Sequence, residues 1–514
     1  MRVLELQWKR LRWRILSVIP SVLMTFLFAF IPCAASADEM SDFRRAKAAV
    51  SSGDLLEAQG LLEDFIDDYP FGRNTLKAKY LLGHLMYRRA DYSAAAAVFA
   101  GIVEDHPAWE YADRAAYGMA VAQCGTLDYA GAVRTLEMLL DTYPESEILD
   151  DSLYWLGEAY YRRGDYARAL ERFNEFLDDY PGHPLKENAL NSAAWCLEEL
   201  GKYSEAITSR EQFLREFPDS TLRGRAEFHL ATDYLKVGAP QAAIEHYLLS
   251  EAAAPSSPLS NQALLRAGVL LSESGKKAES IQVLEKLLAK TPAEKTSRPA
   301  RLALGYCYLT TGEYGKAETV FRAHLKASGG LSQDCAASFQ LALAQTAQGN
   351  FSDAAGNLTK IVREPSCDAL GDASALVLAA CYLKLDQPAA AANALRSHLI
   401  TRDVSRRSPE LLFTYAGSLV LANRFSEALP ILTELSLDAF TVQEFPQIVY
   451  YDGLCSLRES RYVRASEKFA QFLSRDKPDV LAPLATYLRA YSLLKTKSLA
   501  EASVSYQDFI SKWP

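Results

Sequence analysis

A spacing of 37 residues governs this chain. Leu55, Tyr92, Tyr129, Tyr166, Tyr203, Pro240, Lys277, Tyr314, Phe351, Pro388, Phe425, Tyr462 and Leu499 each follow the last by 37 positions. Three residues beyond each stands an alanine, from Ala58 to Ala502, with Ser280 the one departure. A period that holds without insertion or deletion means a solenoid, in which each unit buries its apolar face only against its neighbours. Such a fold grows lengthwise instead of adding cores, so the 514 residues divide into about thirteen repeats and not into conventional domains. Solenoids present surfaces far more often than they do chemistry.

Residues 154–181 serve as the type unit. In Tyr154-Trp155-Leu156-Gly157-Glu158-Ala159-Tyr160-Tyr161, large apolar residues recur at helical spacing around the small Gly157. Gly164-Asp165 predicts a stop, and Tyr166, Ala169, Leu170, Phe173, Phe176 and Leu177 predict a second helix ending at Tyr180-Pro181. The first helix carries Gly or Ala at one position throughout, from Ala46 to Ala490, and the second carries the alanine row. Two facing rows of small residues let the helices of a pair approach closely. Bulky residues four after the alanine, such as Phe99, Phe173, Phe321 and Phe469, fill the remaining space.

This Gly-x-Tyr-x-x-Ala-x-x-x-Phe pattern with its terminal Pro resembles the tetratricopeptide repeat (TPR) over essentially all of residues 38–514. The usual TPR period is about 34, so each unit here is three residues longer, after the Pro. Longer units ending in Tyr-Pro or Phe-Pro look like the exported TPR proteins of Gram-negative envelopes, such as BamD and YbgF. The resemblance implies an all-α, right-handed α-solenoid of about thirteen 37-residue helix-turn-helix units. They start near residues 39, 76, 113, 150, 187, 224, 261, 298, 335, 372, 409, 446 and 483. Pro240 and Pro388 replace the turn aromatic, which predicts irregularity in those repeats.

Composition narrows the function. The chain is 49 % hydrophobic and 23 % charged, with a net charge of −9. Arg2, Lys9, Arg10, Arg12 and Arg14 against Glu5 give the first 37 residues +4, leaving −13 for the rest. An acidic body argues against nucleic-acid binding, which needs cations against phosphate. The basic start precedes an apolar run over 15–31 and Ala35-Ser36-Ala37, which reads as a signal peptide over residues 1–37, with export to the periplasm. An uncleaved anchor is the alternative, with a lipoprotein cysteine at Cys33 a weaker one.

Cys196, Cys307, Cys381 and Cys455 share one repeat position, two or three units apart, too far to pair and suited to small buried roles. Cys335 starts a first helix and Cys367 follows the second helix of the same repeat, where antiparallel helices bring the two ends together. We expect a Cys335–Cys367 disulfide. No pair of histidines has the i, i+4 spacing of a helical zinc site, and there is no Cys-x-x-Cys, phosphate-binding Gly-rich loop or Gly-x-Ser-x-Gly elbow. His324 and His398 share a repeat position and read as partner-free surface or groove residues. We expect no catalytic residues, metal or cofactor.

What remains is surface. In TPR arrays the first helices line the concave wall. Tyr80, Tyr117, Tyr154, Phe228, Phe339 and Tyr450 share one first-helix position, and Trp195 and Tyr306 lie one turn further on. This stripe is either inter-repeat core or an aromatic ladder for a partner. The leading expectation is a noncatalytic interaction scaffold binding segments of other envelope proteins; the alternative is an accessory to exopolysaccharide export or assembly. Trp513-Pro514 closes the last second helix with no polar cap, so this end either docks, possibly onto another copy, or continues into further chain.

Overall fold

The computed structural model describes residues 35–329, 334–400, 408–475 and 480–513. The 15–31 run and Cys33 lie outside them, as do most of residues 1–37. The chain forms two compact units, Met1–Gly238 and Ala239–Pro514. Among the described residues both are all-α, and each is an α-solenoid of antiparallel helix pairs.

In the first unit, second helices begin at Leu55, Tyr92, Tyr129, Tyr166 and Tyr203; in the second, at Pro240, Lys277, Tyr314, Phe351, Pro388, Phe425, Tyr462 and Leu499. The 37-residue spacing is therefore a spacing of helix starts. Asp54, Asp91, Asp128 and Asp165 fix four of these starts by accepting a hydrogen bond from the backbone N–H three residues on. Each such cap contributes about 1 kcal/mol. Pro240 and Pro388 do not disturb their repeats: each is the first residue of a regular helix, Pro240–Ala253 and Pro388–Ile400. There a missing N–H costs nothing and the fixed φ suits the helix.

Between the helices of every pair the chain passes through one left-handed residue. These are Gly53, Ala90, Leu127, Gly164, Gly201 and Gly238 in the first unit. In the second they are Gly275, Gly312, Gly349, Asp386, Asn423, Ser460 and Lys497. The positive φ reverses the chain in a single step, which keeps the helices close enough to pack.

The packing is a size match. A Cβ on Gly157 would lie 2.7 Å from the Phe173 ring, and one on Gly305 would lie 2.7 Å from Phe321. Gly83 and Gly453 receive Phe99 and Phe469 in the same way. Where the second helix offers Leu, the first mostly carries Ala, as with Ala120 and Leu136 in one buried cluster and Ala342 and Leu358 in another, while Gly268 receives Leu284, 2.5 Å from where its Cβ would lie. Ser280, the lone departure from the alanine row, is buried but satisfied, donating to the Gly268 carbonyl at 2.7 Å.

Two consequences are measurable. Gly157→Ala should cost about 1–3 kcal/mol by overpacking, and adding Phe173→Leu should return most of it. A double-mutant cycle on urea midpoints reads this directly, and strict additivity would contradict the size match. Leu127 is 70 % exposed and has φ +64°. Since the left-handed region costs a residue with a Cβ about 1–2 kcal/mol, Leu127→Gly should raise the midpoint, net of the greater unfolded-state freedom of glycine.

Candidate functional site

The aromatic line that includes Tyr154 lies one helical turn before the small position, so it points toward the second helix of its own repeat. Tyr154 packs 5.8 Å, centroid to centroid, from both Phe173 and Phe176. Tyr450 packs 5.8 Å from Phe469 and 5.5 Å from Phe472. Tyr154, Phe228 and Tyr450 are buried and have no free face for a partner, which corrects their assignment to an open ladder. Tyr80, Tyr117 and Phe339 are half-buried. Tyr80 is further enclosed by His84, Trp109 and Tyr111. Burial pushes the Tyr117 and Tyr154 hydroxyls up, so both stay protonated at neutral pH.

Open surface falls on the neighbouring lines of the first helix, one and four residues further on. In the type unit these are Trp155 and Glu158, both half-exposed; in the next repeat they are Ser192 and Trp195, and then His229 and Thr232. Glu158 accepts a hydrogen bond from Ser192 Oγ at 2.7 Å. Trp195 is hemmed in, with the His229 ring 4.0 Å away and the Arg210 guanidinium 5.5 Å from its centroid. Tyr306 occupies the same line in the second unit, half-exposed and edge-on to Phe321 at 5.9 Å. The same helix thus carries a core line and an exposed line. Clefts open elsewhere, between successive second helices: one is floored by Leu170, Leu177, Leu190 and Ala193 and flanked by Asn174 and Gln212.

Arg210 stands where other repeats place Leu, Phe or Tyr against the small residue, and it is 1 % exposed. Its guanidinium bridges buried Asp233 and, at 2.6 Å, Glu198. Burial, with the Glu198 charge, pushes the Asp233 carboxyl up to about 6 against the opposing pull of Arg210. For Glu198, burial pushes the carboxyl up, but the nearby His229 ring and the bonded Arg210 guanidinium hold it below the usual range. Arg210 Nε, Asp233 Oδ1 and His229 Nδ1 have no hydrogen-bond partner, so the cluster is only partly satisfied. The signal in the sequence was available: one Arg in a row of apolar residues, and one Asp in the row that holds Cys196 and Cys307.

Asp150, Asp151 and His183 place three potential ligand atoms within 4.8 Å of one another. The His183 ring, however, accepts the Leu185 N–H at Nδ1 (3.1 Å), which leaves the proton on Nε2, facing Asp150 at 3.3 Å. A nitrogen carrying a proton toward a carboxylate is not offering a lone pair to a metal. The same arrangement recurs with serine. Ser146 takes the Ile148 N–H and donates to Asp113 at 2.6 Å; Ser220 takes the Leu222 N–H and donates to Glu187. These contacts, 33 residues apart, lock the loop after the Pro onto the start of the preceding first helix. Sequence reasoning missed them.

His324 and His398 are buried, not surface residues. Their Nε2 atoms meet Asp334 at 2.8 Å and Asp372 at 2.7 Å. Cys335 and Cys367 form a disulfide, with Cα atoms 5.4 Å apart. Burial pushes the Cys196 and Cys455 thiols up to about 12, so neither supplies a thiolate at neutral pH.

A family described as outer membrane lipoprotein (YfiO) matches residues 110–232, and one described as tetratricopeptide repeat (TPR_16) matches residues 43–113 and 228–295. No curated protein matches the chain. Among solved structures, a tetratricopeptide repeat protein from Parabacteroides merdae ATCC 43184 aligns at 16 % identity and a TM-score of 0.36. That alignment covers 52 % of this chain and 98 % of the other. Naa15/Naa10 bound to HypK-THB aligns over 91 % of this chain and 68 % of its own, at 13 % identity and a TM-score of 0.37. YrrB, described as a TPR protein with an unusual peptide-binding site, aligns at 17 % identity and a TM-score of 0.33, covering 39 % of this chain and 96 % of its own.

The Arg210 cluster makes a prediction with a sign. Arg210→Leu leaves the buried Asp233 unpaired and should cost about 3–5 kcal/mol at pH 7, whereas adding Asp233→Leu should return most of that, the remainder being the part-exposed Glu198 left without its cation. An Asp with a raised folded pKa opposes stability increasingly as pH rises from about 4 to about 6. Losing the pull of Arg210 moves the Asp233 carboxyl higher still, so the single variant should regain stability as pH falls from neutrality through that window, and the double variant should not; urea midpoints at several pH values read both. For the disulfide, thiol titration of denatured chain should find two more thiols after reduction than before.

Proposed function

We propose, on the premise that this chain belongs to the tetratricopeptide-repeat family, that it is a noncatalytic protein-interaction scaffold of the bacterial envelope. The observation that carries this reading is the separation of two lines on each first helix. The packing line is restricted to Gly or Ala, with a Phe ring against the glycine at Gly83, Gly157, Gly305 and Gly453. The exposed line carries Trp155, Glu158, Ser192, His229, Ala303 and Tyr306 with no such restriction. A fold that fixes its core independently of its surface can set its recognition chemistry repeat by repeat.

An envelope location has three supports. Residues 110–232 match a family of outer membrane lipoproteins. The basic, then apolar start has the pattern of an export signal. A disulfide at Cys335–Cys367 suits an oxidising compartment. On this reading the partners are other envelope proteins, reached through half-exposed residues including Tyr117, Tyr306 and Phe339.

The test is photocrosslinking in cells from positions 117, 155 and 306, with the fully buried Phe173 as control, followed by fractionation and identification of the adducts. Discrete protein adducts from the exposed positions in the envelope fraction, and none from 173, are the expected result. Glycan adducts, or crosslinks only within the chain, would overturn it.

A further inference from the structure

Repeat 298–334 cannot make the lock that holds its counterparts in the first unit. There Asp113, Asp150 and Glu187 each meet the residue 33 positions on; the corresponding pair here is Arg298 and Leu331. The Pro that ends other second helices is also replaced, by Gly329 at φ +90°. In their place stands His324, near the end of the helix Tyr314–Ala327 and 1 % exposed. The same position carries Phe176, Phe213, Leu287 and Phe472 in other repeats.

Both nitrogens of that ring face acceptors. Nδ1 lies 3.1 Å from the Arg298 carbonyl, and Nε2 lies 2.8 Å from Asp334 Oδ2. A carbonyl oxygen only accepts. Burial pushes the Asp334 carboxyl up, but the His324 bond, the Ala337 N–H and the charges of His324 and Arg298 hold it below the usual range, so it too only accepts. A neutral imidazole has one N–H and satisfies one of these contacts; the imidazolium satisfies both. His183 differs, because its Nδ1 accepts an N–H and a neutral ring completes its two contacts.

The charged surroundings come from three helices. From Glu294–Thr310 the ring meets Arg298, whose guanidinium is 3.8 Å from the same Asp334 oxygen, and the field of Glu294, itself paired with Arg301. From Cys335–Ala347 the group in contact is Asp334, the residue before the helix. On its own helix Arg322 and Lys326 are exposed, and residues 328–333 carry no ionisable side chain. The Arg298 side chain is 48 % exposed, so solvent screens its repulsion of a charged ring more than it screens the direct Asp334 contact.

We infer that His324 is a proton-operated clasp between repeat 298–334 and repeat 335–371. Protonated, it ties the Arg298 carbonyl to Asp334; deprotonated, it releases one of them, and the start of the helix Cys335–Ala347 loosens. Asp334 passes the change on, since its Oδ1 accepts the Ala337 N–H at 3.1 Å and its carbonyl accepts from Ser338 Oγ at 2.8 Å. The Cys335–Cys367 disulfide ties repeat 335–371 to itself, so the movement falls between the repeats and not within the second. The clasp contributes stability while the ring is charged and loses it as pH rises through the ring's titration. Because each unit of a solenoid rests only on its neighbours, a loosened junction alters the surface on both sides without unfolding either.

Hydrogen exchange on the full chain, read by mass spectrometry over residues 335–345 and divided by intrinsic rates, tests the clasp. Protection there should fall about ten-fold between about pH 6 and about pH 8, while residues 462–473, which hold no histidine, should not change. His324→Phe installs the residue found at positions 176, 213 and 472; Asp334→Asn keeps a cap and can donate to a neutral ring. Each should abolish the fall. Histidine nitrogen NMR, with His324→Phe identifying the signal, should find both ring nitrogens protonated at the lower pH and one at the higher. Equal protection at both pH values in the native chain, the same fall in His324→Phe, or a singly protonated ring at the lower pH would each overturn the inference.

Discussion

The contact between a glycine on the first helix and a phenylalanine on the second sets the closeness of the pair. With no Cβ on Gly157, the Phe173 ring sits directly against the backbone of the first helix, and both Tyr154 and Phe176 then close around it. Alanine faces leucine in several other repeats, so a smaller residue on one helix is commonly met by a larger one on the other. Interiors packed at this density tolerate such exchanges best when total volume is conserved. The left-handed turn residue and the aspartate caps follow from this contact, since both serve to bring the second helix back at the right distance.

Arg210 shows what happens when that rule is broken. It faces Ala194 in place of an apolar side chain, and its charge draws Asp233 and Glu198 into what would otherwise be hydrophobic packing. Asp452 plays the converse part in the second unit: an acid in a row of mostly apolar residues, fully buried and held by Arg464 at 2.7 Å. Buried pairs of this kind seldom add net stability, because desolvation offsets attraction. Their effect is to restrict which neighbours can pack there, making two repeats unlike the rest in a chain whose units are otherwise nearly interchangeable.

The helix starts were legible because Tyr166 and Ala169 recur at fixed spacing, and a solenoid leaves no other way to arrange them. The turn was only half legible: glycine marks it at Gly164 and Gly201, but Ala90, Leu127 and Lys497 adopt the same conformation without advertising it. The stripe was harder still. Tyr154 and Trp155 are adjacent, both aromatic and both on the apolar side of a helix, yet one is core and the other half-exposed. Periodicity finds the stripe but does not resolve its two edges, which differ by about 100° of helical rotation. Likewise nothing in the spacing of His324 and Asp334, or of Asp372 and His398, announces that they meet, because ten and twenty-six residues belong to no helical repeat.

That 100° is also what frees the surface. Were core and recognition carried by the same side chains, each change of partner chemistry would disturb the Gly–Phe contact beneath it. On separate lines they vary independently: Glu158 and Ala380 occupy neighbouring or equivalent places on the exposed line, one bonded to Ser192 and one open, above cores built by the same size rule. Charge can therefore be present along one stretch of first helices and absent along another at no cost to the fold. A chain built this way is constrained in its spacing and free in its surface, and its specificity is to be sought in the positions that the packing leaves undetermined.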